Sequence, residues 1–308
     1  LAFHSVIDPE NCAPWETAYD KVAVTVANLE AQLSFLSRHT TPISLSEALA
    51  LADGEIDRPY LVLTFDDGYT NTLTNAAPIT RRFGLRPTLF VNGAFAGGSV
   101  YYRVLVAMLT RNGRAARLAE ELTRRLESVS WSSDAVTLFN QTKDEYTVGG
   151  AIEEAADVAY RRAFGDPAAL HSHLEPDDVA ALVDMGWEVG NHTYRHDVLS
   201  RLSREKVGEA IEENEAYWTA RGIRLLPCVA FPNGAAKHVG TGIESYLDKR
   251  PGLHGMFCNG GVNFSPSRTE WLRIPVSNVG VCGLASRLAT EVSISREAMR
   301  LGAQGAMT

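Results

Sequence analysis

Leu61-Val62-Leu63-Thr64-Phe65-Asp66-Asp67-Gly68-Tyr69 is an apolar run that ends in two adjacent carboxylates and a glycine. A short apolar run closed by turn residues reads as a buried strand, and parallel α/β folds bind their ligands where such strands end. Neighbouring side chains at a strand end point in different directions. One carboxylate can therefore bind a metal while the other handles a proton. Asp-Asp-Gly is also ordinary turn chemistry, so the segment has to be weighed with the rest of the chain.

Outward from it, further apolar runs recur at Leu1–Val6, Pro87–Asn92, Trp187–Gly190, Leu226–Phe231, Gly255–Asn259 and Leu272–Val276, with Tyr60–Phe65 as the seventh. Helical patterns alternate with them at Val22–Ser37, Ser44–Ala52, Ala76–Phe83, Pro176–Met185, Ser203–Arg221 and Leu284–Arg300. Start signals such as Ser44 with Glu47 support the helices. This β-α alternation predicts an α/β fold, a parallel sheet or barrel formed by the whole chain 1–308 as one unit. Residues 93–175 break the rhythm, because a β-to-α connection usually takes about 2–6 residues. They carry helical patterns at Val104–Thr110, Ala115–Leu126 and Ala151–Phe164 and a polar stretch, Ser128–Tyr146. The segment is read as an inserted helical subdomain, serving either structure alone or as a lid or wall at the catalytic face.

Composition narrows the partners. The 308 residues hold 29 Lys+Arg against 37 Asp+Glu, a net charge of −8, with no basic run. That balance disfavours nucleic acid and anionic membranes. No stretch of about 18 apolar residues could span a bilayer. The chain opens Leu1-Ala2-Phe3-His4, with neither an initiator Met nor a leader pattern. It is read as lacking its natural N-terminus, with a cytoplasmic setting favoured and the oligomeric state open. The four cysteines are widely spaced without C-x-x-C and are expected to be free thiols.

Two other strand ends carry polar residues. His192 and His196 are four apart, on one face of a helical turn, and with a carboxylate from another strand end they make a three-ligand site for Zn²⁺ or a similar ion. Pro232-Asn233-Gly234 closes the run after Leu226 as a rigid turn, able to present a backbone N–H to an oxyanion.

Thr64–Gly68 as TFDDG, His192–His196 as H-T-x-x-H and Phe231–Gly234 as FPNG, in that order, resemble the motifs of the polysaccharide deacetylases, carbohydrate esterase family 4 or the NodB homology domain. Framing segments extend the likeness: Leu29–Ser44, Pro87–Asn92 as PTLFVN, Met185–Gly190 as MGWEVG and Leu272–Val276 as LRIPV. The resemblance implies a distorted (β/α) barrel of seven or eight strands. It implies Asp66 as general base, and Asp67, His192 and His196 as ligands of a divalent metal, most often Zn²⁺. The backbone of Asn233 would help to hold the oxyanion. The implied reaction removes an N-acetyl or N-formyl group from an amino sugar in a glycan, glycolipid or activated sugar.

Two positions depart from the family pattern. Ala230 stands where many members have an Arg that orients the base, and Ile274 where they have a His that protonates the leaving amine. His4, at the end of the first strand, is the preferred substitute acid over His254, with metal-bound water or Asp66 itself as competitors. Arg273 is expected to pair with Asp66 in place of the missing Arg. Tyr69, Tyr101, Tyr102 and Trp271 are candidates for stacking on a sugar ring. The alternative functions are hydrolysis of a non-sugar amide or cyclic imide, and a carbohydrate-binding relative without turnover.

Overall fold

A computed structural model describes residues 1–51, 58–145, 150–258, 260–263 and 270–305, with side chains as far as 295. Ala52, Tyr146 and Asn259, which close three of the expected segments, lie outside the described residues, as does the side chain of Arg300.

The strands are β1 (Ala2–Phe3), β2 (Ser5–Ile7), β3 (Ala23–Thr25), β4 (Thr41–Pro42), β5 (Tyr60–Leu61), β6 (Thr64–Phe65), β7 (Thr88–Val91), β8 (Glu188–Asn191), β9 (Cys228–Ala230), β10 (His254–Phe257) and β11 (Glu270–Leu272). Seven form one sheet in the order β1-β6-β7-β8-β9-β10-β11, with every pair parallel. The small pairs β2–β3 and β4–β5 lie beside it. The sheet curls until its edges meet: Ala2 N–H donates to Ile274 C=O at 3.0 Å and Val276 N–H to Ala2 C=O at 2.9 Å. This is the (β/α) barrel expected from the alternation, closed through a single bridge between Ala2 and Pro275.

Helices cover the outside. Before the insertion come α1 (Pro14–Ala18), α2 (Val26–His39), α3 (Leu45–Ala50) and α4 (Ala77–Arg82), the last preceded by a π-helical turn at Thr72–Ala76. Segment 93–175 contains α5 (Gly93–Ala96), α6 (Tyr102–Arg111), α7 (Ala115–Arg125), α8 (Ala135–Asp144) and α9 (Ala151–Phe164). The chain returns through α10 (Pro176–Asp184), α11 (Arg204–Thr219), α12 (Ala236–Val239) and α13 (Gly242–Leu247), and ends in α14 (Val281–Gly305). No helix among the described residues is long and apolar enough to cross a membrane.

The starts follow the capping chemistry. Ser44 accepts from the Glu47 N–H while Glu47 accepts from the Ser44 N–H, a reciprocal box that satisfies two otherwise unpaired donors. Leu29, Leu33 and Leu36 of α2 point into the core with Phe65, Leu89 and Val189 of the sheet. Helices α6, α7, α8 and α9 of segment 93–175 pack one apolar core together with Trp15, Tyr19 and Tyr69.

Two expectations need correction. Residues 135–144, within the polar stretch Ser128–Tyr146 for which no helix is expected, form α8. Asp134 caps it at 2.9 Å, and the buried Arg103 guanidinium donates to Phe139 C=O and Thr142 Oγ1. Its apolar face is only Leu138 and Phe139, too little periodicity to announce a helix. The last strand lies earlier than Leu272–Val276, because Glu270, Trp271 and Leu272 pair with Gly255, Met256 and Phe257. Arg273 therefore follows the strand at its C-terminal end.

Inside the barrel the Phe90 ring lies over Gly190, where an added Cβ would come within 2.4 Å of the ring. Only glycine admits that approach. Gly190→Ala is expected to lower stability by about 1–3 kcal/mol, the usual cost of overpacking a dense core. A wild-type melting midpoint by circular dichroism would show that Phe90 has room to move.

Candidate active site

The loops at the C-terminal ends of β1, β6, β8, β9 and β11 carry His4, Asp66 and Asp67, His192 and His196, Asn233, and Arg273 in turn. One parallel sheet thus brings residues from both ends of the chain to one rim. Asp66, Asp67, His192, His196 and Arg273 are all buried.

Asp67 Oδ1 lies 3.2 Å from His192 Nε2 and 3.3 Å from His196 Nε2. The three possible ligand atoms fall within 4.8 Å of one another. His192 Nδ1 is 2.7 Å from Ala230 C=O, an acceptor, which fixes the proton on Nδ1 and turns the Nε2 lone pair towards Asp67. Asp67 Oδ1 itself is buried without a hydrogen-bond donor among the described residues. Lone pairs converging in a buried pocket call for a cation between them. Metal–ligand bonds of about 2.0–2.2 Å in tetrahedral geometry put ligand atoms about 3.4 Å apart, close to the spacing found here. These residues fit a divalent ion.

Backbone strain gathers at the same place. Asp67 (φ 72°), Thr193 (φ 62°), His196 (φ 58°) and Asn233 (φ 60°) are four of the five non-glycine residues with positive φ among those described. Such conformations persist where surrounding bonds over-determine them. Asn191 Oδ1 accepts the Thr193 N–H at 2.8 Å, and Asn92 Nδ2 donates to the carbonyls of His192 and Thr193 at 2.5 and 2.8 Å. Asn214, from α11, donates to Asn191 Oδ1 and to Val91 C=O, both at 2.8 Å. Asn92, Asn191 and Asn214 were not singled out from the sequence. Asn92 and Asn191 carried the usable signal, since each is a polar residue at the end of an apolar strand.

Asp66 is gripped from below. Arg273 donates Nη1 to Oδ1 at 2.7 Å and Nη2 to Oδ2 at 2.9 Å, and its Nη1 also reaches Thr64 Oγ1 at 3.0 Å. The guanidinium rests over Phe90, 5.1 Å from the ring centre. Burial by itself raises the Asp66 carboxyl, but the charges of Arg273, His192 and His4 outweigh it and hold the group below its ordinary value. Asp67 is also lowered: burial opposes, and the imidazoles of His196 and His192 prevail. Burial pushes His196 down to about 3, whereas the Asp67 contact outweighs burial at His192 and raises it. Asp66 is therefore anionic and fixed in orientation.

His4 Nε2 is 3.8 Å from Asp66 Oδ2, and its side chain is 20% exposed. The chain after His4 is tied by Asn71, which accepts from the Val6 N–H and donates to Ser5 Oγ and Glu16 Oε1. In the FPNG turn the Gly234 N–H goes to Phe231 C=O at 2.9 Å. Among the described residues the Asn233 N–H has no acceptor.

The four aromatic candidates, Tyr69, Tyr101, Tyr102 and Trp271, are all buried. Tyr69 is fully buried, with Trp15 at 5.5 Å and His173 at 4.9 Å between ring centres, and its hydroxyl lacks a partner among the described residues. Tyr101, from segment 93–175, packs on His196 at 4.8 Å and on Tyr102 at 5.3 Å. Trp271 is on β11, with Nε1 donating to His254 Nδ1 at the start of β10, at the opposite end of the sheet. The four cysteines are free.

Residues 53–243 match the sequence profile of the polysaccharide deacetylases. No curated protein matches the chain in sequence. Among solved structures, the Streptococcus pyogenes deacetylase PplD in complex with acetate is similar at 16% identity and a TM-score of 0.59, over 93% of this chain and 96% of that one. A de-N-acetylase from Aggregatibacter actinomycetemcomitans aligns at 11% identity and 0.60, covering 93% and 97%. IcaB from Ammonifex degensii aligns at 15% and 0.55, covering 90% of each. At these identities the structures speak for the fold.

Proposed function

The chain belongs to the polysaccharide deacetylase family, and from that membership we propose that it is a metal-dependent hydrolase removing an N-acetyl or N-formyl group from an amino sugar. The observation that carries this reading is the convergence of Asp67, His192 and His196 beside an Asp66 fixed by Arg273. Asp67, His192 and His196 would hold the ion, most suitably Zn²⁺ for a site of two imidazoles and one carboxylate. When bound, a divalent ion supplies Lewis acidity, polarising an acyl carbonyl and lowering the pKa of coordinated water.

The chain's own residues do the rest. Asp66, anionic beside Arg273, accepts the proton of the attacking water. The Asn233 N–H takes the oxyanion as the carbonyl carbon becomes tetrahedral. His4, at the open side of the site, donates a proton to the sugar nitrogen as the C–N bond breaks. The competing route returns the proton held by Asp66. Acetate or formate leaves with a free amino sugar, and acetate is the molecule bound in the S. pyogenes relative. The net charge of −8 favours neutral N-acyl sugars over polyanionic glycans.

Purified protein should contain about one zinc per chain and release acetate or formate from N-acyl amino sugars, soluble or lipid-linked. A chain that binds no divalent metal and releases neither acid sinks the proposal.

Arg273→Ala leaves Asp66 buried without its partner. It is expected to lower stability by about 3–5 kcal/mol, the cost of breaking a buried pair. Activity should fall as well, with part of it returning in Arg273→Lys, which restores the charge without the two-pronged grip. Acyl release near the wild-type rate in Arg273→Ala would remove Arg273 from the mechanism.

A further inference from the structure

Beside Asp67, a small cavity of about 10 Å³ has Asp67, Gly68, Val91, Asn92, His173 and Trp218 among its walls. That is about the space of one water molecule. Three of its wall residues are almost wholly buried and have a polar atom without a partner among the described residues: Trp218 Nε1, Asn92 Oδ1 and His173 Nε2.

Their chemistry is complementary. The Trp218 indole can only donate. Asn92 has committed its amide nitrogen to the carbonyls of His192 and Thr193, so its oxygen can only accept. His173 uses Nδ1 with Ser172 Oγ at 2.9 Å, which leaves Nε2 as donor or acceptor according to tautomer. We propose that one water molecule is bound in this cavity, accepting from Trp218 and shared by Asn92 Oδ1 and His173 Nε2, and that through Asn92 it orients the loop carrying His192 and His196. Three partners are typical of a buried water. Each atom of the set gains the bond that burial otherwise denies it.

Asn92 is the link to function. Its amide plane is set at one edge by the two loop carbonyls and at the other by the water, so the left-handed backbone of Thr193 is held from both sides. Asn92 and Trp218 are positioning residues: neither is among the ligands, and both act through the loop. The water site stands by itself, while its effect on metal binding rests on the reading of Asp67, His192 and His196 as ligands.

The test has two arms. A high-resolution crystal structure should show water density about 2.7–3.2 Å from Trp218 Nε1, Asn92 Oδ1 and His173 Nε2. In Trp218→Phe, which keeps an aromatic ring of smaller size and deletes the donor, that density should be lost. Zinc affinity, measured by competition with a chromophoric chelator, should weaken about 10–100-fold in Asn92→Leu and by a smaller but measurable factor in Trp218→Phe. A cavity without density in the wild type overturns the water site. Wild-type zinc affinity in Trp218→Phe overturns its coupling to the loop, even if Asn92→Leu fails to fold. A wild-type protein that binds no zinc would instead overturn the proposed function, leaving the crystallographic arm to judge the water.

Discussion

Asp66→Asn is expected to slow acyl release by about 10²–10⁴-fold, the range of a general base, with metal content unchanged. The substitution keeps the shape of the side chain and removes the charge that receives the proton. In the wild type that charge is secured by the two Arg273 bonds at 2.7 and 2.9 Å, so Asp66 is an acceptor without needing help from solvent. The Asn oxygen can still accept one of these bonds, and the ligand set does not include residue 66. Metal analysis and acid release, measured on the same preparation, separate chemistry from metal loss. A variant within tenfold of wild type would mean that the proton goes elsewhere, with His4 the next residue to examine at 3.8 Å.

His192→Ala is expected to lose both metal and activity. Three ligands is the smallest set common in catalytic zinc sites, and this change leaves Asp67 and His196. Loss of an outer partner already costs about 10–100-fold in affinity, so loss of a ligand should exceed that. The Ala230 carbonyl also loses its donor, adding an unsatisfied group in the core. Treating the wild type with a chelator should reproduce the activity loss, and added Zn²⁺ should reverse it. Full metal occupancy in His192→Ala would show that the ion sits elsewhere.

The two experiments probe features that differ in how plainly the sequence showed them. Asp66, Asp67, His192 and His196 were legible because each follows an apolar run, and parallel strands carry their ends to a common rim. Arg273 was legible as a partner for Asp66, although the strand before it was placed too late along the chain. The aromatic side chains misled in another way. A tyrosine after Asp-Asp-Gly looks available to a sugar, yet Tyr69 is enclosed by Trp15 and His173. Helix α8 escaped notice because its stability comes from Arg103 and Asp134 more than from an apolar stripe.

The sequence by itself determined the alternation of strand and helix, the polar strand ends and the family motifs, since these follow from local periodicity and residue chemistry. The tertiary structure decided which atoms meet. Asp66 and Arg273 are 207 residues apart, and they touch because Ala2 bonds to Ile274 and Val276 and brings the first and last strands of the barrel together. Closure of that kind depends on strand register and curvature, which no local pattern records. The same holds for Trp218, Asn92 and His173, which line one cavity only once three distant segments are packed.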